Sequence, residues 1–223
     1  MLSIVIPAKN EGNNIDQTLK AILKEFKKAE IIVVCNECRD NTFEAVEIIK
    51  KKHKNIINLN FTYHTGKGGA VLEGFKRASG NIVGFVDADN VFYTKDMKKL
   101  IKYLDKYDCV IASKWKSGSS KVKESRTRKI YGRIWNFLIR ILFGLNFSDT
   151  QAGMKFMKRD VLRHLGEFKC KDFEFDVELL WKIEKAGFSI KEVYAPTKDM
   201  KKEKFSIKDA FKMFINIVKL RIK

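Results

Sequence analysis

Asn81-Ile82-Val83-Gly84-Phe85-Val86-Asp87-Ala88-Asp89 is an apolar strand that delivers two carboxylates, separated by one residue, at its C-terminal end. In an open α/β sheet that end of a strand faces the ligand crevice. Paired hard-oxygen ligands there suit a divalent cation that is also held by a diphosphate. The stretch therefore points to a nucleotide or another diphosphate. Standing alone, the same carboxylates also read as solvated turn residues capping the helix that starts near Thr94.

Working outward, short apolar runs at about 2–6, 31–35, 56–62, 81–86 and 108–112 alternate with helical periodicity over roughly 13–28, 40–53, 67–78 and 94–106. The first helix carries the stripe Ile15, Leu19, Ile22, Leu23 and Phe26. Such alternation predicts an α/β fold, a Rossmann-like, mostly parallel sheet flanked by helices. The strand ends hold the polar residues: Pro7-Ala8-Lys9-Asn10-Glu11, then Cys35-Asn36-Glu37-Cys38-Arg39-Asp40, then Thr65-Gly66-Lys67-Gly68-Gly69, then Asp87-Ala88-Asp89. All four sets can converge on one crevice. Gly66 to Gly69 is neither a Walker A loop nor G-x-G-x-x-G. It opens a helix with Lys67 beside the first turn, either as a phosphate neighbour or as a structural turn.

Charge marks the second half. Of the +18 formal charge, fourteen sit in residues 114–140, with nine Lys or Arg against one Glu, and 196–223, with nine against three acids. Something anionic is expected near both: phosphates, anionic lipid or nucleic acid. The segment at about 127–143 follows a basic loop and is apolar over most of its circumference, with Arg133 and Arg140 seven apart. It reads as an interfacial amphipathic helix that meets lipid through Trp135, Leu138 and Leu142, or else as a core helix. A further helix (Phe175 to Lys185), a strand (Ile190 to Tyr194) and a C-terminal helix (Ser206 to Leu220) complete the chain. In the last, Ile207, Phe211, Phe214, Ile215, Val218 and Ile222 form a stripe edged by Lys208, Lys212, Lys219 and Arg221.

The chain has 223 residues, enough for one domain with appendages. A hydrophobic content of 45% excludes wholesale disorder, and two prolines leave little room for a linker. The expected division is a domain over 1–195 and a basic loop with an amphipathic helix over 196–223. No run of 18 apolar residues occurs, and Met1 leads straight into a strand without a signal-peptide pattern. Four cysteines then read as reduced thiols in the cytoplasm. Cys35 and Cys38 form a C-x-x-C without a second pair at zinc-ligand spacing, which speaks against metal or redox use.

Ser3-Ile4-Val5-Ile6-Pro7-Ala8-Lys9-Asn10-Glu11, Gly66-Lys67-Gly68-Gly69-Ala70, Asp87-Ala88-Asp89, Asp149-Thr150-Gln151-Ala152-Gly153-Met154-Lys155 and Phe175-Asp176-Val177-Glu178-Leu179-Leu180 occur in this order. Together they resemble the inverting GT-A glycosyltransferases of family 2, and within them the dolichyl-phosphate hexose synthases, the glucosyltransferase branch more than the mannose branch. The resemblance spans residue 2 to about 195. It implies a metal-dependent transfer of a hexose from a nucleoside diphosphate sugar, UDP-glucose before GDP-mannose, to dolichyl or polyprenyl phosphate. Eukaryotic members of that branch carry an N-terminal span, so membrane binding here is expected from the amphipathic segments, at the cytoplasmic face.

By the same resemblance Pro7, Asn10 and Glu11 lie in the nucleoside pocket and Lys67 beside the nucleotide sugar. Asp89 is the principal ligand of Mg²⁺ or Mn²⁺, with Asp87 on the nucleotide or the metal shell. Relatives usually show Asp-Asp-Gly-Ser-x-Asp after strand two. Here Asn36 replaces the carboxylate that accepts from the base, and an amide can still accept through its carbonyl oxygen. Asp40 is retained and is expected to cap the next helix. Arg128 is assigned to the acceptor phosphate, with Lys114, Lys201 and Lys202 as further phosphate clamps, weaker because Lys lacks the bidentate fork of Arg. The roles of Asp176 and Glu178 stay open between substrate contact and fold. Two rivals remain: a family 2 transferase acting on a soluble glycan, which the basic and apolar segment after residue 120 disfavours, and a nucleic-acid-binding protein, which leaves the acidic pair unexplained and lacks any RRM, KH or helix-turn-helix pattern.

Overall fold

The computed structural model describes residues 1–89, 92–115, 126–198 and 207–222; the side chains of residues 126–131, 207–212 and 222 are outside that description. Strands β1 (Leu2–Ala8), β2 (Glu30–Asn36), β3 (Ile56–Phe61) and β4 (Ile82–Val86) are joined by helices α1 (Ile15–Glu25), α2 (Thr42–Lys50) and α3 (Gly66–Arg77). After β4 come α4 (Thr94–Lys102), a 3₁₀ turn at Tyr103–Asp105, β5 (Cys109–Ser113), α5 (Arg126–Phe143), β6 (Met154–Lys158) and α6 (Arg159–His164). The order closes with α7 (Phe175–Lys185), β7 (Ile190–Tyr194) and α8 (Ile207–Ile222).

The seven strands form one sheet in the order β3-β2-β1-β4-β6-β5-β7. All neighbours are parallel except β6, which runs antiparallel to both β4 and β5. Parallel strands buried on both faces need apolar residues at every position. Accordingly Ile4, Ile6, Ile31 and Val33 pack beneath α1, α2 and α4, while Val5, Ile32, Val34 and Phe85 pack beneath α3 and α7. The strand order runs outward from β1 in both directions, so the crevice lies between the C-terminal ends of β1 and β4.

The sequence pattern placed the five early strands and most helices, with boundaries off by a few residues. β6 was not expected. Its Met-Lys-Phe-Met-Lys run has little β-branched character, and Lys155 sits where a buried strand normally carries an apolar residue.

Helix α5 corrects a second expectation. Trp135 and Leu142 pack against the core, and Leu138 is half-buried. The outward residues are instead Ile134, Phe137 and Ile141, exposed by 51%, 61% and 63%. A helix apolar almost all round has no face that sequence alone can designate as outer. α8 turns Met213, Ile217 and Leu220 inward and leaves Phe214 and Ile215 outside. It is fastened by Asn216, which donates to Glu174 Oε1 at 2.6 Å, and by Arg221, which donates to the Leu142 carbonyl at 2.7 Å.

Candidate active site

The side of the crevice formed by the ends of the first three strands, where the resemblance puts the nucleoside, is a network of short-range contacts. Asn10 and Glu37 both take left-handed backbone, with φ of +55° and +53°. Glu37 stands where the resemblance has glycine, the residue for which such backbone is free of strain. Its carboxylate binds Lys9 at 2.7 Å and Arg39 at 3.1 Å. Asn10 Oδ1 accepts the Arg39 N–H at 2.7 Å. Asp40 accepts the N–H of Gly12 at 2.9 Å and that of Thr42 at 3.1 Å; the N-cap of α2 is Asn41 rather than Asp40, which stands one residue before it and ties the start of the helix to the first loop. Glu11 is held there too, its N–H donating to Thr42 Oγ1 at 2.8 Å. Pro7 is half-buried at the end of β1.

Asn36 is buried, and its carbonyl oxygen accepts the Thr65 N–H at 2.8 Å. The acceptor expected to read a base thus already braces the loop that opens α3. The glycines of that loop also have a structural account. Gly66 has φ of +76°, and a Cβ on Gly68 would lie 2.3 Å from the Phe175 Cβ. Gly69 donates its N–H to the Lys171 carbonyl at 2.9 Å. These glycines let α3 press against the start of α7, which brings Lys67 to the acidic pair.

At the end of β4, Asp87 is fixed from two sides. Its N–H donates to the Gly153 carbonyl at 2.8 Å, and its carboxylate lies so close to Gly153 that a Cβ there would be 1.8 Å from Oδ2. Lys67 Nζ is 3.0 Å from Asp87 Oδ1 and 3.4 Å from Asp176 Oδ2. Burial alone would lower the pKa of Lys67, but the Asp176 and Asp87 carboxylates outweigh it and raise it above the ordinary lysine value. Lys67 stays charged.

Asp89 is half-buried. The antiparallel bridge between Phe92 and Thr197 carries Lys198 to its vicinity. Burial lowers the Lys198 pKa, and the Asp89 carboxylate partly restores it. Lys198 was missed as an individual residue, although it lies in the basic run that begins at 196. Among the expected clamps, Lys201 and Lys202 lie outside the described residues, as does the Arg128 side chain; the Arg128 backbone is in the first turn of α5. Lys114 directly follows β5 and donates its N–H to Asp149 Oδ2 at 3.4 Å.

The two open carboxylates separate cleanly. Glu178 accepts the N–H groups of Lys169 at 3.0 Å and Cys170 at 2.7 Å, so it organises the loop before α7. Asp176 points toward the crevice through Lys67 and inward to Lys155.

The donor set fits a hard divalent cation. Mg²⁺ and Mn²⁺ are commonly held by one or two carboxylates, with substrate phosphates and water completing the sphere, and Asp87 and Asp89 offer that much at a crevice mouth. Among the described residues no group of three or more His, Cys, Asp and Glu is arranged for a metal, so such a cation would need oxygens from a ligand.

Fold and site together define a GT-A type protein. The solved structure of glucosyl-3-phosphoglycerate synthase from Mycobacterium tuberculosis with Mn²⁺ and UDP-glucose superposes with a TM-score of 0.74 at 18% identity, covering 99% of this chain and 78% of that one. Residues 3–166 match glycosyl transferase family 2, and the chain belongs to that family. It is a glycosyltransferase. A dolichyl-phosphate beta-glucosyltransferase of Trichomonas vaginalis is 28% identical over 99% of this chain and 73% of its own length. An undecaprenyl-phosphate mannosyltransferase of Micrococcus luteus is 25% identical over 85% of this chain and 80% of its own.

Proposed function

We propose that this glycosyltransferase moves a hexose from a nucleoside diphosphate sugar, UDP-glucose before GDP-mannose, to dolichyl or polyprenyl phosphate with inversion. The observation that carries the reading is the seat of Asp87 and Asp89 at the end of β4, at the reversal of strand order, with Lys67 on Asp87. Mg²⁺ or Mn²⁺ held by Asp89, with Asp87 beside it, would supply compensation for charge developing on the leaving diphosphate. Lys67 flanks that position as a cation, and Lys198 lies near Asp89. Pro7, Asn10 and Glu11 wall the nucleoside side.

The acceptor needs little activation. A lipid monophosphate carries an ionised oxygen near neutral pH, so attack on the anomeric carbon calls for positioning and charge compensation rather than a general base. Arg128 takes that phosphate, with Lys114, Lys201 and Lys202 as further cations around the two phosphate sites. The names of the two relatives support a polyprenyl-type acceptor.

A peripheral seat on an anionic membrane, at the cytoplasmic face, completes the reading. Among the described residues no helix is long and apolar enough to cross a membrane. Ile134, Phe137 and Ile141 project from one side of α5, flanked by exposed Arg133 and Arg140, which is the composition of an interfacial helix. Exposed Phe214, Ile215, Lys219 and Arg221 on α8 add to it.

A donor screen tests the proposal. Radiolabelled nucleotide sugars are offered one at a time with polyprenyl phosphate and Mn²⁺, and label entering organic solvent is counted. UDP-glucose is expected to give the signal. Label from GDP-mannose alone would reassign the donor, and no label from any sugar would overturn the reaction.

A further inference from the structure

Four charged side chains alternate in sign from the interior to the crevice. Lys155 Nζ lies 2.5 Å from Asp176 Oδ1, and neither side chain meets solvent. Asp176 Oδ2 is 3.4 Å from Lys67 Nζ, which is 3.0 Å from Asp87 Oδ1. Side-chain exposure rises along the series to 15% at Lys67 and 31% at Asp87. Lys155 is held further by the Ala152 carbonyl at 2.7 Å and lies over the Phe85 ring.

An ion pair stripped of water this fully adds little to stability, because desolvation offsets the attraction and apolar residues of equal volume do as well. An apolar pair could not, however, direct a carboxylate oxygen at Lys67. We propose that Lys155 and Asp176 are a positioning pair for Lys67, a role that rests on the donor reading given above. Lys155 fixes one oxygen of Asp176, which aims the other at Lys67. The ammonium is thereby held at the crevice mouth rather than drawn wholly onto Asp87. With three N–H donors, Lys67 can keep Asp176 while turning another toward a diphosphate seated at Asp87 and Asp89. Neither Lys155 nor Asp176 touches substrate.

Calorimetric titration with UDP and Mn²⁺, or GDP if UDP is ignored, distinguishes the possibilities. The double variant Lys155→Met/Asp176→Asn removes both charges and is expected to melt cooperatively while losing about tenfold in nucleotide affinity. Lys67→Met should lose at least as much. Because the pair acts through Lys67, adding the double replacement to Lys67→Met should cost nothing more, whereas a merely structural role would give additive losses. Wild-type affinity in the double variant, or additive losses in the triple, would overturn the assignment. If the double variant does not fold, Asp176→Asn alone must show the same loss, and unchanged affinity there overturns it. Wild type that binds neither nucleotide would overturn the donor reading itself, and the positioning role with it.

Discussion

Asp87 and Asp89 leave one strand end two residues apart, yet they are held differently. Asp87 is clamped by Lys67 and by the Gly153 backbone, whereas Asp89 has Lys198 in its vicinity. Replacing Asp89 by Asn keeps its shape and removes a charged ligand, so turnover should fall by about two orders of magnitude or more with the melting transition preserved, and EDTA should do the same to wild type. Activity in protein confirmed metal-free would remove the cation from the mechanism. Arg128→Ala should raise the KM for lipid phosphate with donor affinity nearly intact, and Arg128→Lys should rescue in part. A fall in donor affinity at fixed acceptor KM would reverse that assignment. Cys38 offers a test by pH. A hydrogen bond from Cys35 pulls its thiol down to about 6, against the opposing effect of burial, whereas burial pushes Cys109 up to about 12. Iodoacetamide should therefore modify Cys38 before Cys109, with a rate that climbs through pH 6 as thiolate forms. A rate flat between pH 5 and 8 would contradict this.

The position of the acidic pair was legible because it is local: an apolar strand ending in Asp-x-Asp needs no distant partner to be read. The engaged carbonyl of Asn36 and the link from Lys155 to Asp176 were not, since each joins residues that meet only after folding. At the scale of elements the same division holds. β1 to β5 announce themselves by apolar runs, but β6 hides behind a buried lysine whose partner lies on α7. For α5 the periodicity gave a helix without an outer face. Ile134→Ser, Phe137→Ser and Ile141→Ser combined should release the protein from anionic vesicles with little change in thermal midpoint, because those side chains are already in water. Trp135→Ser with Leu142→Ser should instead destabilise the fold by roughly 2–5 kcal/mol per site, as removal of packed side chains does. Salt should weaken vesicle binding of wild type without abolishing it, since apolar burial adds a salt-insensitive contribution to about 1 kcal/mol per basic residue near the surface. Release of wild type by salt alone would show that the apolar face makes no contact.

At the scale of the whole molecule, the sheet order sets the crevice between β1 and β4, the charge series that starts at Lys155 ends there at Asp87, and the excess of +18 is weighted toward the segments around α5 and α8. A donor site and an anion-seeking, partly apolar surface on one body suit an acceptor whose head is a phosphate and whose tail is lipid. The fold of such a body could be read from alternating runs. Its acceptor came only through the resemblance, because a phosphate leaves no local pattern beyond charge, and the exposed faces of α5 and α8 speak for the tail. The central claim is therefore the acceptor. The most direct measurement compares kcat/KM, with the preferred nucleotide sugar and Mn²⁺, for polyprenyl phosphate in anionic vesicles and for a soluble phosphorylated acceptor such as phosphoglycerate. Vesicle-borne polyprenyl phosphate is expected to be favoured by at least about a hundredfold, equivalent to roughly 2.7 kcal/mol of transition-state binding. Equal or better transfer to the soluble acceptor would contradict it.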